Sequence, residues 1–295
     1  MRSVILLILL VGLPFMSEAQ KPWKKRKQKI SIAKGTLWGY WGYNRTAYTK
    51  SNLHFIGPGY DFTLQNVTAH DNQSIIGNGE YIHPAKITIP QFNARIGYYF
   101  KDHWSISFGY DHMKYVMDDN NEVLLSGEFT PGVDASPNNW SGIYNSEPIT
   151  TDRNYFHYEN SDGLNYLRFE LTRSDLLFGF GGEDQFMITS NLGVGAGGLL
   201  SFNDFTFAGN KNLRTISMSG YGLSAHVGLR FEFFKHIFLQ STLSGGFHNQ
   251  LAVHNRPADA SAVTKHKYGY GELHTVIGFL FYIRPTNSCD SCPVW

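Results

Sequence analysis

The stretches Arg95–Asp111, RIGYYFKDHWSISFGYD, and Leu229–Gly245, LRFEFFKHIFLQSTLSG, share one plan. Each opens with an aromatic-rich half and turns at a corner carrying Lys and His. Each then continues with apolar residues alternating with small or polar ones. Period-2 alternation puts successive side chains on opposite faces of a strand. Each stretch therefore reads as two strands joined by a tight turn.

Working outward, the same period marks eight strands, at 36–48, 87–100, 104–117, 164–178, 185–199, 221–234, 237–247 and 270–282. In the second, Phe92, Ala94, Ile96, Tyr98 and Phe100 share one face, and Asn93, Arg95 and Tyr99 the other. In the third, Ile106, Phe108 and Tyr110 oppose Ser105, Ser107 and Asp111. In the sixth, Leu223, Ala225, Val227 and Leu229 oppose Ser224, His226, Arg230 and Glu232. Connections alternate between tight turns, near Asp102, Gly181 and Lys235, and long segments at 49–86, 118–163, 200–220 and 248–269. An even strand count, short turns at one end and long loops at the other mark an outer-membrane barrel. The reading is all-β: an eight-stranded antiparallel up-and-down transmembrane barrel, with both termini on the short-turn, periplasmic side. A soluble barrel of eight strands reverses the faces, with apolar side chains inside.

The lipid-facing rows carry almost no charge, as expected where a midplane Arg or Lys costs roughly 2–4 kcal/mol. Arg95, Asp111, Arg168, Glu170, Arg230, Glu232, Glu272 and His274 fall on the other face. They are expected to form an ionic cluster in the lumen, because an eight-stranded barrel is filled by side chains and buried charges must pair.

Composition agrees. The 295 residues include 30 Gly and 15% aromatics, and the net charge of +1 gives no whole-protein attraction to nucleic acid. A mean hydropathy of −0.26 argues against a helical membrane bundle. The first residues, MRSVILLILLVGLPFMSEAQ, read as a signal peptide over 1–19, with Ser17 and Ala19 before the cleavage point. That predicts export to the outer membrane of a Gram-negative cell. A basic periplasmic tail (20–34), the barrel (35–284) and a second periplasmic tail (285–295) follow. Cys289 and Cys292 in the last segment read as a local disulfide, since a metal site needs two further ligands.

The phrases WGYNRTAYTKSNLHF, ITIPQFNARIGYYF, SDGLNYLRFEL and GYGLSAHVGLRFEFFK resemble a family of bacterial outer-membrane β-barrel proteins with the small OmpA/OmpX-type architecture. The resemblance covers most of the chain after the basic tail. It implies fold and location, and it brings no catalytic residues with it.

Three function classes remain. The first is a structural or binding role through the extracellular loops. The segment 118–163 is acidic and aromatic, with Asp118, Asp119, Trp140, Tyr144 and Tyr155 as candidate binding residues. The second is a lipid-modifying hydrolase like the lipid A deacylases, which need a Ser-His-acid triad within hydrogen-bond reach. His112 falls at the upper rim on the lipid-facing side, but no late His-x-Ser pattern accompanies it, and no catalytic residue is assigned. The third is a narrow channel. No cofactor or metal is expected. Expected partners are outer-membrane lipid and lipopolysaccharide, with a ligand or protein reached through the loops, and no nucleic acid.

Overall fold

The computed structural model describes residues 31–75, 77–133, 139–181 and 185–283. The signal segment and the Cys289–Cys292 tail lie outside the described residues.

Thirteen strands follow in order: β1 Thr36–Tyr48, β2 Ser51–Gly57, β3 Tyr60–Val67, β4 Ala69–His70, β5 Phe92–Lys101, β6 Trp104–Met117, β7 Glu122–Phe129, β8 Gly142–Thr150, β9 Phe156–Phe180, β10 Phe186–Phe207, β11 Asn210–Phe233, β12 Ile237–His254 and β13 Val263–Tyr282. Eight of them, β1-β5-β6-β9-β10-β11-β12-β13, form a ring. It closes where β1 pairs antiparallel with β13, from Thr36↔Tyr282 to Tyr48↔Tyr270. Closure leaves no free sheet edge in the hydrocarbon, where an unpaired backbone group costs several kcal/mol.

The wall is apolar on the outside. Ile96, Phe169, Leu192, Val194, Leu223, Leu243, Leu273 and Ile277 are each more than half exposed. Their neighbours along each strand are buried, and most are polar. This inversion of a soluble barrel settles which solvent surrounds the wall.

The strands predicted at 36–48 and 104–117 are β1 and β6 with the same bounds. Five of the others run on above the membrane, whereas the strand predicted at 87–100 begins only at Phe92, as β5, and the long segments are largely not loops. Residues 49–67 form the β2–β3 hairpin around Pro58-Gly59, where Gly59 takes φ +80, as the second central residue of a type II turn requires. Residues 122–150 supply β7 and β8. Residues 200–220 are the upper arms of β10 and β11, joined by only Ala208 and Gly209, both with positive φ. The predicted loop 118–163 is thus a hairpin followed by the upper end of β9, which descends to the periplasmic turn.

The extra strands build a head above the membrane. β2 pairs with the top of β13 through Val263↔Ile56 to Lys267↔Asn52, and the sheet continues β2-β3-β7-β8. Its inner face packs Phe55, Phe62, Leu64, Val123, Leu125 and Phe129 against Tyr158, Phe156, Phe205 and Phe207. The interior therefore changes from polar inside the membrane to aromatic above it. β-Bulges mark the crossing on β10 (Asn203/Phe205) and β12 (Gln250/Val253), where an extra residue re-aims a strand.

At the periplasmic end residues 31–34 lie against the base of the barrel. Ser31 and Ile32 are buried, the Ile32 carbonyl accepts from His103 N at 2.9 Å, and Asp102 Oδ1 accepts from Lys34 N at 2.8 Å.

Leu243 stands outward, six residues above the start of β12 at Ile237. Leu243→Arg is expected to lower stability by roughly 2–4 kcal/mol in urea-unfolding titrations from lipid vesicles. A cost near zero would remove Leu243 from the hydrocarbon.

Candidate functional site

The lumen is built by register. β5 and β6 bring Asn93 opposite Asp111 and Arg95 opposite Gly109. β6 and β9 bring Gly109 opposite Arg168 and Ser107 opposite Glu170. Gly109 lets two guanidinium groups converge: a Cβ there would lie 2.5 Å from Arg95 Cζ.

Asp111 Oδ2 lies 2.7 Å from Arg168 Nε and 3.0 Å from Arg95 Nη2. Glu170 spans the same pair, with Oε2 2.9 Å from Arg95 Nη1 and Oε1 3.0 Å from Arg168 Nε. Glu272 Oε2 is 3.7 Å from Arg168 Nη2. Asn93 Nδ2 donates to both Asp111 Oδ1 and Glu272 Oε1, each at 2.7 Å. Arg95 Nε donates to the Tyr40 hydroxyl at 2.8 Å. His226 Nδ1 lies 3.5 Å from Glu170, and His274 Nδ1 lies 3.9 Å from Glu272.

A second layer lies toward the periplasm. Arg230 donates to Gln240 Oε1 (2.9 Å) and to the Tyr99 hydroxyl (3.2 Å), with its guanidinium over Phe238 at 4.4 Å and Trp38 at 5.3 Å. Glu232 Oε1 accepts from Thr189 Oγ1 at 3.0 Å. All eight residues expected in the lumen are buried there. They divide into these two layers rather than one cluster. Tyr40 and Trp38 of β1 belong with them, unsignalled in the sequence because both faces of β1 are aromatic, and so does Asn93, which shares the β5 face of Arg95. Between the layers is a cavity of about 10 Å³ lined by Trp38, Glu170, His226, Arg230 and His274, room for one water at most.

Charges inside, an uncharged apolar wall outside and a closed ring decide the class. The described residues form a transmembrane β-barrel. Solved structures with a similar course include OprG from Pseudomonas aeruginosa (12% identity, 86% of this chain, 100% of that chain, TM-score 0.38). AlkL in lipid bilayers gives 12%, 92%, 99% and 0.38 by the same measures. Ail of Yersinia pestis gives 12%, 84%, 99% and 0.32. No family model and no curated protein sequence matches the chain.

The head places the candidate loop residues in its own packing. Asp118 pairs with His70. Asp119 Oδ1 lies 2.9 Å from His157 Nδ1, whose Nε2 is 2.9 Å from Glu159 Oε2, and Arg153 reaches both acids. Burial alone raises the Glu159 pKa; its bonds to His157 outweigh that and hold it below the usual range. Trp140 stands edge-on to Phe156 at 4.7 Å, Tyr144 edge-on to Phe129 at 5.5 Å, and Tyr155 packs against the same core.

The outer face of the head holds what sequence spacing did not show. Across β2-β3-β7-β8 the register aligns Ile56, Asp61, Glu128 and Ile143 in one row. Asp61 and Glu128 are exposed and directly opposite, with His54 Nε2 2.6 Å from Asp61 Oδ1, and Ile143 is 82% exposed. Like charges in directly opposed positions are destabilising. Only the strand register, not sequence separation, brings them together.

Neither notable histidine contact is placed to act on a lipid. The His112 ring is buried, stacked on Phe92, with Nδ1 2.7 Å from Asn165 Oδ1. Ser51 Oγ lies 2.8 Å from His266 Nε2, whose Nδ1 is 3.2 Å from Gln250 Oε1. That arrangement is sealed in the aromatic core, with an amide where a triad has a carboxylate.

Arg168→Met leaves Asp111, Glu170 and Glu272 with one guanidinium. A loss of roughly 3–5 kcal/mol in vesicle unfolding is expected, and a loss under 1 kcal/mol would contradict the network's role. Burial pushes His266 down to about 3, whereas the unfolded chain binds that proton near 6.5. Falling pH therefore favours the unfolded head from about 6.5 down toward 3. Protease nicking of the head in intact vesicles should rise between about pH 7 and pH 4, and His266→Gln should flatten the rise. Equal pH dependence in both proteins would contradict this assignment.

Proposed function

We propose that this barrel serves as a membrane-anchored platform whose folded head binds a partner at the cell surface. The filled lumen supports this reading: with Arg95, Arg168 and three carboxylates meeting across it, activity moves to the outside. The exposed row Ile56-Asp61-Glu128-Ile143 supplies an apolar-flanked acidic strip, and such a strip favours a cationic partner through electrostatic complementarity. The barrel's remaining surroundings are outer-leaflet lipid, and delivery there follows the cleaved signal proposed over residues 1–19.

Two measurements test the reading. Planar bilayers containing the protein should show no conductance above bare membrane, and steady conductance altered by Arg95→Ala would establish the channel alternative. Oligolysine should bind vesicles carrying the protein in a salt-sensitive way. The double variant Asp61→Asn, Glu128→Gln should weaken that binding about tenfold; unchanged binding would sink the acidic strip as the contact.

A further inference from the structure

Residues 71–75 and 77–82 lie along the outside of β1, from the level of Ala47, where β4 pairs, to that of Tyr43. The segment is well anchored. Asp71 receives Arg45 Nε at 2.8 Å and Arg45 Nη2 at 3.1 Å, together with Thr46 N at 3.1 Å. Gln73 donates to the Asn44 carbonyl. The Tyr81 hydroxyl donates to Gln73 Oε1 and the Ser74 carbonyl, both at 2.8 Å, and the Tyr81 ring stands edge-on to Tyr43 at 4.8 Å.

Between this segment and the wall is a cavity of about 640 Å³, within the roughly 300–1,000 Å³ of ligand sites. Its floor is Leu273 and Thr275. These belong to the outward row of β13 that continues through Ile277, Phe279 and Phe281 into the hydrocarbon. Its rim carries Ile82, 85% exposed, and Arg45. Higher on the same outward row stand Lys267 and Lys265.

We propose that this cavity holds an acyl chain of a phosphate-bearing glycolipid of the outer leaflet, with its phosphate at Arg45 and its headgroup beneath Lys267 and Lys265. The floor is continuous with the lipid-facing wall, so the molecule with direct access is a lipid. A chain entering from the bilayer leaves one hydrocarbon environment for another and gains no hydrophobic free energy. Selection must come from the rim. The Arg45 side chain is 67% exposed, whereas Asp71 is 8% exposed. The bidentate pair fixes the guanidinium through Nε and Nη2 and leaves Nη1 directed elsewhere. A guanidinium fixed in this way is suited to a phosphate, and Lys267 stands six residues higher on β13 than Leu273, the register partner of Arg45. The inference rests on the membrane placement of the wall and stands apart from the head's binding role.

The test uses the full-length protein, reconstituted in phosphatidylcholine vesicles doped with lipid A, extracted in mild detergent and weighed by native mass spectrometry. Wild type should keep lipid A through extraction. Thr275→Trp, which fills the floor, and Ser74→Trp, which fills the cavity from the segment side, should each reduce that retention about tenfold while heat-modifiable gel mobility shows a folded barrel. Arg45→Gln should reduce it without narrowing the cavity. The proposal is overturned if wild type keeps no lipid A, or if the Trp variant that folds keeps as much as wild type.

Discussion

Hydrocarbon on the outside of the wall leaves the charged residues of these strands one direction to point, and an eight-stranded ring leaves them little room once they point there. Both conditions meet at Arg168. Its guanidinium contacts Asp111, Glu170 and Glu272, donated by β6, β9 and β13. Arg95 on β5 shares two of those carboxylates. One network thus ties four of the eight strands across the lumen. Replacing such a network with well-packed apolar residues often costs nothing. Apolar residues would not fix strand register, however, and register here sets every other contact. A one-residue slip of β9 would turn Arg168 and Glu170 into lipid.

The same argument explains what the sequence made legible. Within the membrane each strand separates two unlike environments, so alternation is strong and its polarity constant. β1 and β6 could be bounded to the residue, and the eight lumen residues could be named from their face alone. Their partition into two layers could not be read, since it depends on the stagger between strands. Arg230 takes Gln240 and Tyr99 as partners and stacks over Phe238, whereas Arg95 and Arg168 take carboxylates, although all three share a strand face.

Above the membrane the outside becomes water and the interior becomes aromatic. The alternation continues but its polarity reverses higher up: Ser201 and Asn203 still face inward on β10, and the aromatic interior begins at Phe205, beside the register shift at Asn203/Phe205. A pattern sought with one polarity fades there, and residues 200–220 pass for a loop although two residues suffice for the turn. The β2–β3 hairpin had a readable signal in Pro58-Gly59, the Pro-Gly pair of a type II turn. β7 and β8 had less, with a register shift between Leu125 and Gly127 and Pro148 inside β8. Both features also blunt an outer strand against edge-to-edge pairing.

The head and the lumen therefore solve opposite problems with one wall. In the lumen the charged side chains find one another, and their network spans the interior from β5 and β6 to β9 and β13. In the head the partners are rings: Phe55, Phe62, Phe205 and Phe207 pack with centroids about 5–6 Å apart and need no water. A folded core there holds the outer face of β3 and β7 in fixed geometry. Asp61 and Glu128 stay opposed on that face at a cost a flexible loop would relieve by moving apart. That fixed geometry comes from strands outside the ring, β2, β3 and β7, whose inner residues pack into the aromatic core and which reach the barrel where β2 pairs with the top of β13.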